Sequence, residues 1–333
     1  MRMYGFTFSQ NTVKSLRGAL LMCAAAPAAL AQTLIEPVQV APQVWMVQGA
    51  SAQGTAANRN FISNATFVIT TEGVVVVDAL GSPALAQELI KAITRITPQP
   101  IRQVIVTHYH ADHVYGLQAF KAVGALVTAH HSGQAYPGSE AAAQRLAASR
   151  DELAPWINAQ TQVVAADRWL QEPQRFTWGD TEFLLQPVGP AHTAEDLVVL
   201  LPREGVLIAG DIVFRGRIPF VGQADSARWI DALDKLLAFQ PRIIIPGHGP
   251  VSTNARADLQ LTRDYLVFLR QAMGTAARQL EPFDEAYAKT DWSRFEALPL
   301  FRAVNRMNAY NTYLLMEQQA EQPMHKNTEA TQP

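Results

Sequence analysis

Thr107-His108-Tyr109-His110-Ala111-Asp112-His113 follows the apolar run Val104-Ile105-Val106 and packs three imidazoles and a carboxylate into six positions. A strand over Gln103 to Val106 delivers this run to a loop, and its alternation sends His108 and His110 the same way. Both can then hold one cation, while Asp112 and His113, further round the turn, can hold a second. So dense a cluster stays unsatisfied unless something cationic binds it. Imidazole and carboxylate are the donors that zinc accepts when thiolates are absent, and iron and manganese accept them too. His192, Asp211 and His248 follow at long intervals, each just after an apolar segment. That makes seven candidate ligands: His108, His110, Asp112, His113, His192, Asp211 and His248. The set is enough for two metal ions that share a bridging carboxylate.

Working outward, period-2 runs predict strands at 44–48, 65–70, 74–77, 125–129, 181–188, 197–201, 206–209 and 242–245. Ser82-Pro83 opens a helix with a cap followed by proline at its first position, and Leu85, Leu89 and Ile93 share its apolar face. Residues 117–123 read as a helix. Residues 138–165, rich in alanine, read as helical with a break at Pro155. Ser226 caps a helix carrying Trp229, Leu233 and Leu236. After Val251 the pattern turns helical, over 255–276 and 300–319. Every candidate ligand falls at or just beyond a strand end, where a rigid sheet holds functional loops. Strands occur both in consecutive pairs and alternating with helices, which fits an α/β (α+β) chain with two sheets and helices outside.

The first residues read as a secretory signal. Lys14 and Arg17 give a positive start, residues 18–28 are small and apolar, and Ala29-Leu30-Ala31 is a small-x-small cleavage site. The domain expectation is 1–31 signal peptide, 32–255 catalytic domain, 256–320 helical extension packed on it, and 321–333 disordered tail. The one cysteine, Cys23, lies in the leader, so neither a disulfide nor a thiolate ligand is expected of the mature chain. The leader carries three basic residues (Arg2, Lys14 and Arg17) and no acidic one, so its removal moves the formal charge from −2 to −5. No Lys/Arg cluster is present. This argues for a small-molecule substrate, and against nucleic acid or an anionic membrane surface as partner. Once the leader is cleaved no stable membrane anchor is expected, and the location is the periplasm.

The motifs His108-x-His110-x-Asp112-His113, Gly189-Pro190-Ala191-His192-Thr193, Ala209-Gly210-Asp211 and Pro246-Gly247-His248-Gly249 resemble, in order, those of the metallo-β-lactamase superfamily over about residues 40–255. The resemblance implies an αβ/βα four-layer sandwich, with metals at one edge and the helical extension at the C-terminus. It also implies that His108, His110 and His192 hold one ion, that Asp112, His113 and His248 hold another, and that Asp211 bridges them. Asp78 matches a family aspartate that orients the ligand loop. Aspartate at 211 looks like the glyoxalase II, lactonase and ribonuclease-Z-like branches, because true β-lactamases carry cysteine or serine there. His110 sets the chain apart from the flavodiiron reductases, which place glutamate at that point. The leader and Asn305-x-x-Asn308-x-Tyr310-Asn311-x-Tyr313 are similar to the quinoprotein relay system zinc metallohydrolases.

The implied function is a secreted dinuclear zinc hydrolase, using a metal-bridging hydroxide on a small ester, thioester, lactone or amide, with Asp112 handling protons. A mononuclear iron persulfide dioxygenase, a β-lactamase, a phosphodiesterase and a metal-binding protein without turnover stand as alternatives. Minor expectations concern flanking residues. His130 and His131 are assigned to the surface or behind the ligands, and Tyr109 and Tyr115 to the pocket or to packing. Asn305, Asn308 and Thr312 form a polar stripe expected to face solvent, on a helix that covers part of the substrate entrance.

Overall fold

The computed structural model describes the backbone of residues 35–326 and the side chains of 35–320; the expected signal peptide lies outside the described residues. Two sheets stack face to face. The larger has the order β1 (Val38–Ala41), β2 (Val44–Val47), β3 (Ala65–Thr70), β4 (Gly73–Val77), β5 (Ile101–Ile105), β6 (Leu126–His130), β7 (Arg168–Leu170). Its first four strands pair antiparallel and β4 to β7 pair parallel. The smaller has the order β12 (Ile243–His248), β11 (Val206–Phe214), β10 (Leu197–Leu201), β9 (Thr181–Pro187), β8 (Gln174–Trp178). Only β11 and β12 run parallel there.

The parallel crossovers need helices. α1 (Pro83–Ile96), α2 (Ala111–Val114), α3 (Leu117–Ala122) and α4 (Glu140–Glu152) lie between strands of the first sheet, and α5 (Ser226–Ala238) joins β11 to β12. α6 (Ala255–Arg278), α7 (Phe283–Lys289) and α8 (Phe301–Lys326) complete the chain. β4 shows why the stack forms. Val75 and Val77 pack with Phe183, Val199 and Ile208 between the sheets, while Val74 and Val76 pack outward with Leu85, Leu89 and Phe120 of α1 and α3. A strand apolar on both faces must be covered twice. The outer face of the second sheet is covered by α5, α6 and α8 through Trp229, Leu233, Leu266, Met273 and Ala309. The result is the expected four-layer αβ/βα sandwich with a helical extension.

Several boundaries differ from expectation. The helix expected over 138–165 stops at Glu152, because Leu153 and Ile157 turn into the core beside the first sheet. β11 does not end at Ala209 but runs on through Asp211 to Phe214, with register shifts around Gly210. Asp225, not Ser226, caps α5, its side chain accepting from the Arg228 N–H. α8 continues to Lys326, past residue 321 where a disordered tail was expected; residues 327–333 lie outside the described residues. β1, β7, β8 and α7 were not expected: the first three are short or edge strands with weak alternation, and α7 has seven residues.

Candidate metal centre

Asp78, at the end of β4, is the base of the site. It adopts φ 64°, a left-handed conformation unusual for a non-glycine residue, and three hydrogen bonds hold it there. Its Oδ1 accepts from the Thr107 N–H at 2.8 Å. Its Oδ2 accepts from the Thr107 hydroxyl and from His113 Nδ1, both at 2.8 Å. Because the Thr107 hydroxyl donates to Asp78, it is left to accept from His108 Nδ1, 3.0 Å away. Both His108 and His113 are thereby held with the proton on Nδ1 and Nε2 free, the tautomer a metal ligand needs. His248 is set the same way: Nδ1 lies 2.7 Å from the Ile62 carbonyl, which can only accept.

The freed nitrogens converge. His110 Nδ1 lies 3.0 Å from both His108 Nε2 and His192 Nε2. Asp211 Oδ2 lies 3.4 Å from His192 Nε2, 3.7 Å from His108 Nε2 and 3.3 Å from His248 Nε2, while its Oδ1 lies 3.2 Å from His113 Nε2. Asp112 Oδ2 lies 3.3 Å from His248 Nε2 and 3.6 Å from His113 Nε2. All seven residues singled out in the sequence come together, in two groups: His108, His110, His192 and Asp211, and Asp112, His113 and His248. Asp211 faces both. His113 Nε2 and Asp211 Oδ1 are buried yet make no hydrogen bond within the chain. Buried polar atoms left in that state mark a cation site, and a set of nitrogens about 3 Å apart aimed at one another fits a metal.

Packing fixes the rings. Phe214 stacks on His248 at 5.1 Å and Trp229 packs edge-on to His192 at 5.0 Å. Gly210, at φ 51°, bends β11 just before Asp211. Gly247 leaves room for Asp211, since a Cβ there would fall 2.0 Å from Oδ1.

Burial and neighbouring charge divide the titrations. Burial lowers His108 and His110, and brings His192 down to about 3. Burial also acts to lower His113 and His248, but Asp211 and Asp112 outweigh it and raise both. Asp112 and Asp211 are pushed up by burial, yet end below the usual carboxylate range because His113 and His248 adjoin them. Protons on His113 and His248 thus occupy the place a cation can take.

The site opens on a cleft of about 640 Å³, lined among others by His110, Asp112, Arg217, Phe220 and Met307. The Asp112 side chain is 17% exposed against 4% for Asp211, so Asp112 is the carboxylate that substrate can reach. Sequence reasoning missed several supports. Ser63 Oγ donates to the Asp112 carbonyl at 2.5 Å. Asn64 Nδ2 donates to the carbonyls of Pro246 and Gly249, both at 2.8 Å, and so grips the turn that carries His248. Asp196 accepts from the Thr193 N–H and hydroxyl and closes the loop that carries His192; the Thr193-x-x-Asp196 spacing was the available turn signal. Arg217 gave no local signal. Tyr109 and Tyr115 are buried in the first core and take the packing role. His130 and His131 belong to neither donor group.

A four-layer sandwich with imidazoles and carboxylates gathered at the strand ends defines a metal-dependent hydrolase. The family model described as the metallo-beta-lactamase superfamily matches residues 58–248, and the chain belongs to that superfamily. A metallo-beta-lactamase type 2 of Bacillus sp. (strain 170) is 27% identical over 57% of this chain and 67% of its own length. A linear primary-alkylsulfatase of Pseudomonas sp. (strain ATCC 19151) is 24% identical over 60% of this chain, which spans 44% of that relative. Among solved structures, a metallo-beta-lactamase from Pontibacter korlensis aligns with TM-score 0.55 and 23% identity, over 70% of this chain and 98% of its own. A sec-alkylsulfatase from Pseudomonas sp. aligns with TM-score 0.66 and 17% identity, over 84% of this chain and 50% of its own. α6 to α8 lie beyond the family match.

Proposed function

We propose that the protein is a dinuclear zinc hydrolase of a small ester, thioester, lactone or amide. His108, His110 and His192 hold one ion, Asp112, His113 and His248 hold the second, and Asp211 lies between them. The observation that carries this reading is the single carboxylate, Asp211, within 3.2 to 3.7 Å of ring nitrogens from both groups. Such a pair of ions supplies, when bound, an acidified water as nucleophile and Lewis-acid polarisation of the scissile carbonyl.

The chain's own residues do the rest. Asp78 and the Ile62 carbonyl keep three imidazoles in the metal-binding tautomer. Asp112, the half-buried carboxylate, accepts the nucleophile's proton and passes it to the leaving group. Aspartate at 211 supports a branch other than the β-lactamases, and His110 one other than the flavodiiron reductases. Export to the periplasm rests on residues 1–31; no helix of the described residues is long and apolar enough to cross a membrane.

The test is elemental analysis of the purified protein together with a panel of thioester, lactone, β-lactam, phosphodiester and sulfate-ester substrates. Two zinc ions per chain with turnover of a carbonyl substrate are expected. One iron per chain with oxygen uptake on a persulfide would replace this reading by the dioxygenase.

A further inference from the structure

One charged group in the cleft makes no close ion pair among the described residues. Arg217, three residues past β11, is only 5% exposed, yet it lines the cleft beside Asp112, Asp211 and His248. A buried guanidinium stays charged and normally meets an acceptor for its N–H groups. Here Nε donates to the Ile218 carbonyl at 3.3 Å. Nη1 lies 3.4 Å from His248 Nδ1, but that nitrogen already donates its proton to the Ile62 carbonyl, so two donors face each other. Among the described residues Arg217 forms no ion pair. Asp112 and Asp211 act on it through space, and both are engaged by His113 and His248. Phe220, Val304 and Met307 give the same cleft an apolar wall.

The arginine is also held in place. Its loop is tied to α8: Asn308 Nδ2 donates to the Pro219 carbonyl at 2.7 Å, Asn308 Oδ1 accepts from the Val221 N–H at 2.9 Å, and Asn311 Nδ2 donates to the Gly222 carbonyl at 2.8 Å. The Ile218 N–H adds a bond to the Pro299 carbonyl at 3.1 Å. Ordering a cationic side chain before binding lowers the entropy cost of recognition. The groups that grip this loop, Asn308, Asn311 and the Pro299 carbonyl, lie outside the family match.

We propose that Arg217 anchors an oxyanion, carboxylate or sulfate, carried by an amphiphilic substrate whose apolar part lies on Phe220, Val304 and Met307. This rests on the hydrolase reading only for the place of the scissile bond, beside the seven donors. The anion meets the unused N–H groups, and the apolar wall takes the adjoining chain.

Calorimetric binding of hexanoate, hexyl sulfate and the neutral isostere hexanamide to the metal-loaded full chain tests the proposal. The same measurement is made on Arg217→Met and Arg217→Gln, with metal content determined for each. At least one anion is expected to bind about tenfold or more tighter than hexanamide, as a charge-assisted bond in a dry site should allow. Both variants should lose that preference while keeping their metal. The tighter of the two anions identifies the head group. Equal binding of all three probes, or a preference that survives in either variant, overturns the proposal. So does loss of metal in both variants, which would make Arg217 part of the cage. Absence of turnover across the substrate panel would count against the hydrolase reading alone and leave this binding measurement standing.

Discussion

At the scale of single residues, Asp78 shows how one carboxylate prepares two ligands at once. It fixes His113 directly and His108 through the Thr107 hydroxyl. The two donor groups are not equivalent towards protons. His108, His110 and His192 are lowered by burial and are already neutral at neutral pH, whereas His113 and His248 are raised by Asp211 and Asp112. A cation entering the second group must displace protons, so its affinity falls as pH falls; the first group carries no such penalty near neutrality. Stepwise acidification should therefore release the ion at Asp112, His113 and His248 first, read as zinc content after dialysis at each pH. Simultaneous release, or the reverse order, would contradict this assignment. Asp112 has a second role to test. Asp112→Asn keeps an oxygen donor but cannot accept a proton, so kcat should fall about 10²- to 10⁴-fold, provided elemental analysis still finds both ions. Full turnover with both ions retained would remove Asp112 from proton handling.

At the scale of elements, α8 departs most from what its sequence suggested. Asn305, Asn308 and Thr312 share a helical face, and such a stripe ordinarily meets water. Here all three are buried, and Tyr310 is 45% exposed instead. Tyr265 donates to Asn305 Oδ1 at 2.8 Å, Asn305 donates to the Tyr287 hydroxyl at 3.1 Å, and Asn308 donates to the Tyr265 hydroxyl at 2.9 Å. Periodicity reveals that residues share a face, but not which face is covered; here the covering carbonyls of Pro219 and Gly222 lie 89 residues away along the chain. The same distinction explains the site. His108 to His113 were readable because the ligands are neighbours in sequence, as were motifs closed by a local turn. Asn64 acts through partners 182 and 185 residues distant, and Arg217 reaches the cleft only because the chain folds back on His248, so no local pattern announces either. Asn308→Ala leaves the Pro219 carbonyl, the Val221 N–H and the Tyr265 hydroxyl without that partner, each at a cost of about 1–3 kcal/mol where water is excluded. The melting temperature should drop, and KM should rise more than kcat falls, with metal content unchanged. A proportional loss of metal and kcat would show that α8 supports the ligands rather than the cleft wall.

At the scale of the whole molecule, the question is whether the chain divides near residue 255, as the sequence suggested by turning from strands to helices there. The core beneath the second sheet argues against independence. Val198, Leu207 and Phe214 of the sheet, with Trp229 and Leu233 of α5, share one apolar cluster with Leu259, Leu266 and Met273 of α6 and with Ala309 and Tyr313 of α8. Ending the chain at 255 would strip partners from all of them. Each of the five large side chains left uncovered forfeits up to about 1.5–3 kcal/mol, a sum comparable to the usual margin of stability of about 5–15 kcal/mol. α8 is then both wall and core, so deleting residues 300–333 should disturb folding as well as KM. Two expectations follow from one shared core. In denaturant, far-ultraviolet circular dichroism and tryptophan fluorescence of the full chain should trace the same transition, since Trp229 and Trp292 belong to this cluster while Trp45 and Trp169 pack against the core of the first sheet. A fragment spanning 32–255 should not accumulate as a soluble monomer that retains metal. Separate transitions for the two probes, together with a soluble metal-binding fragment, would establish the helices as an independent module instead of part of one cooperative core.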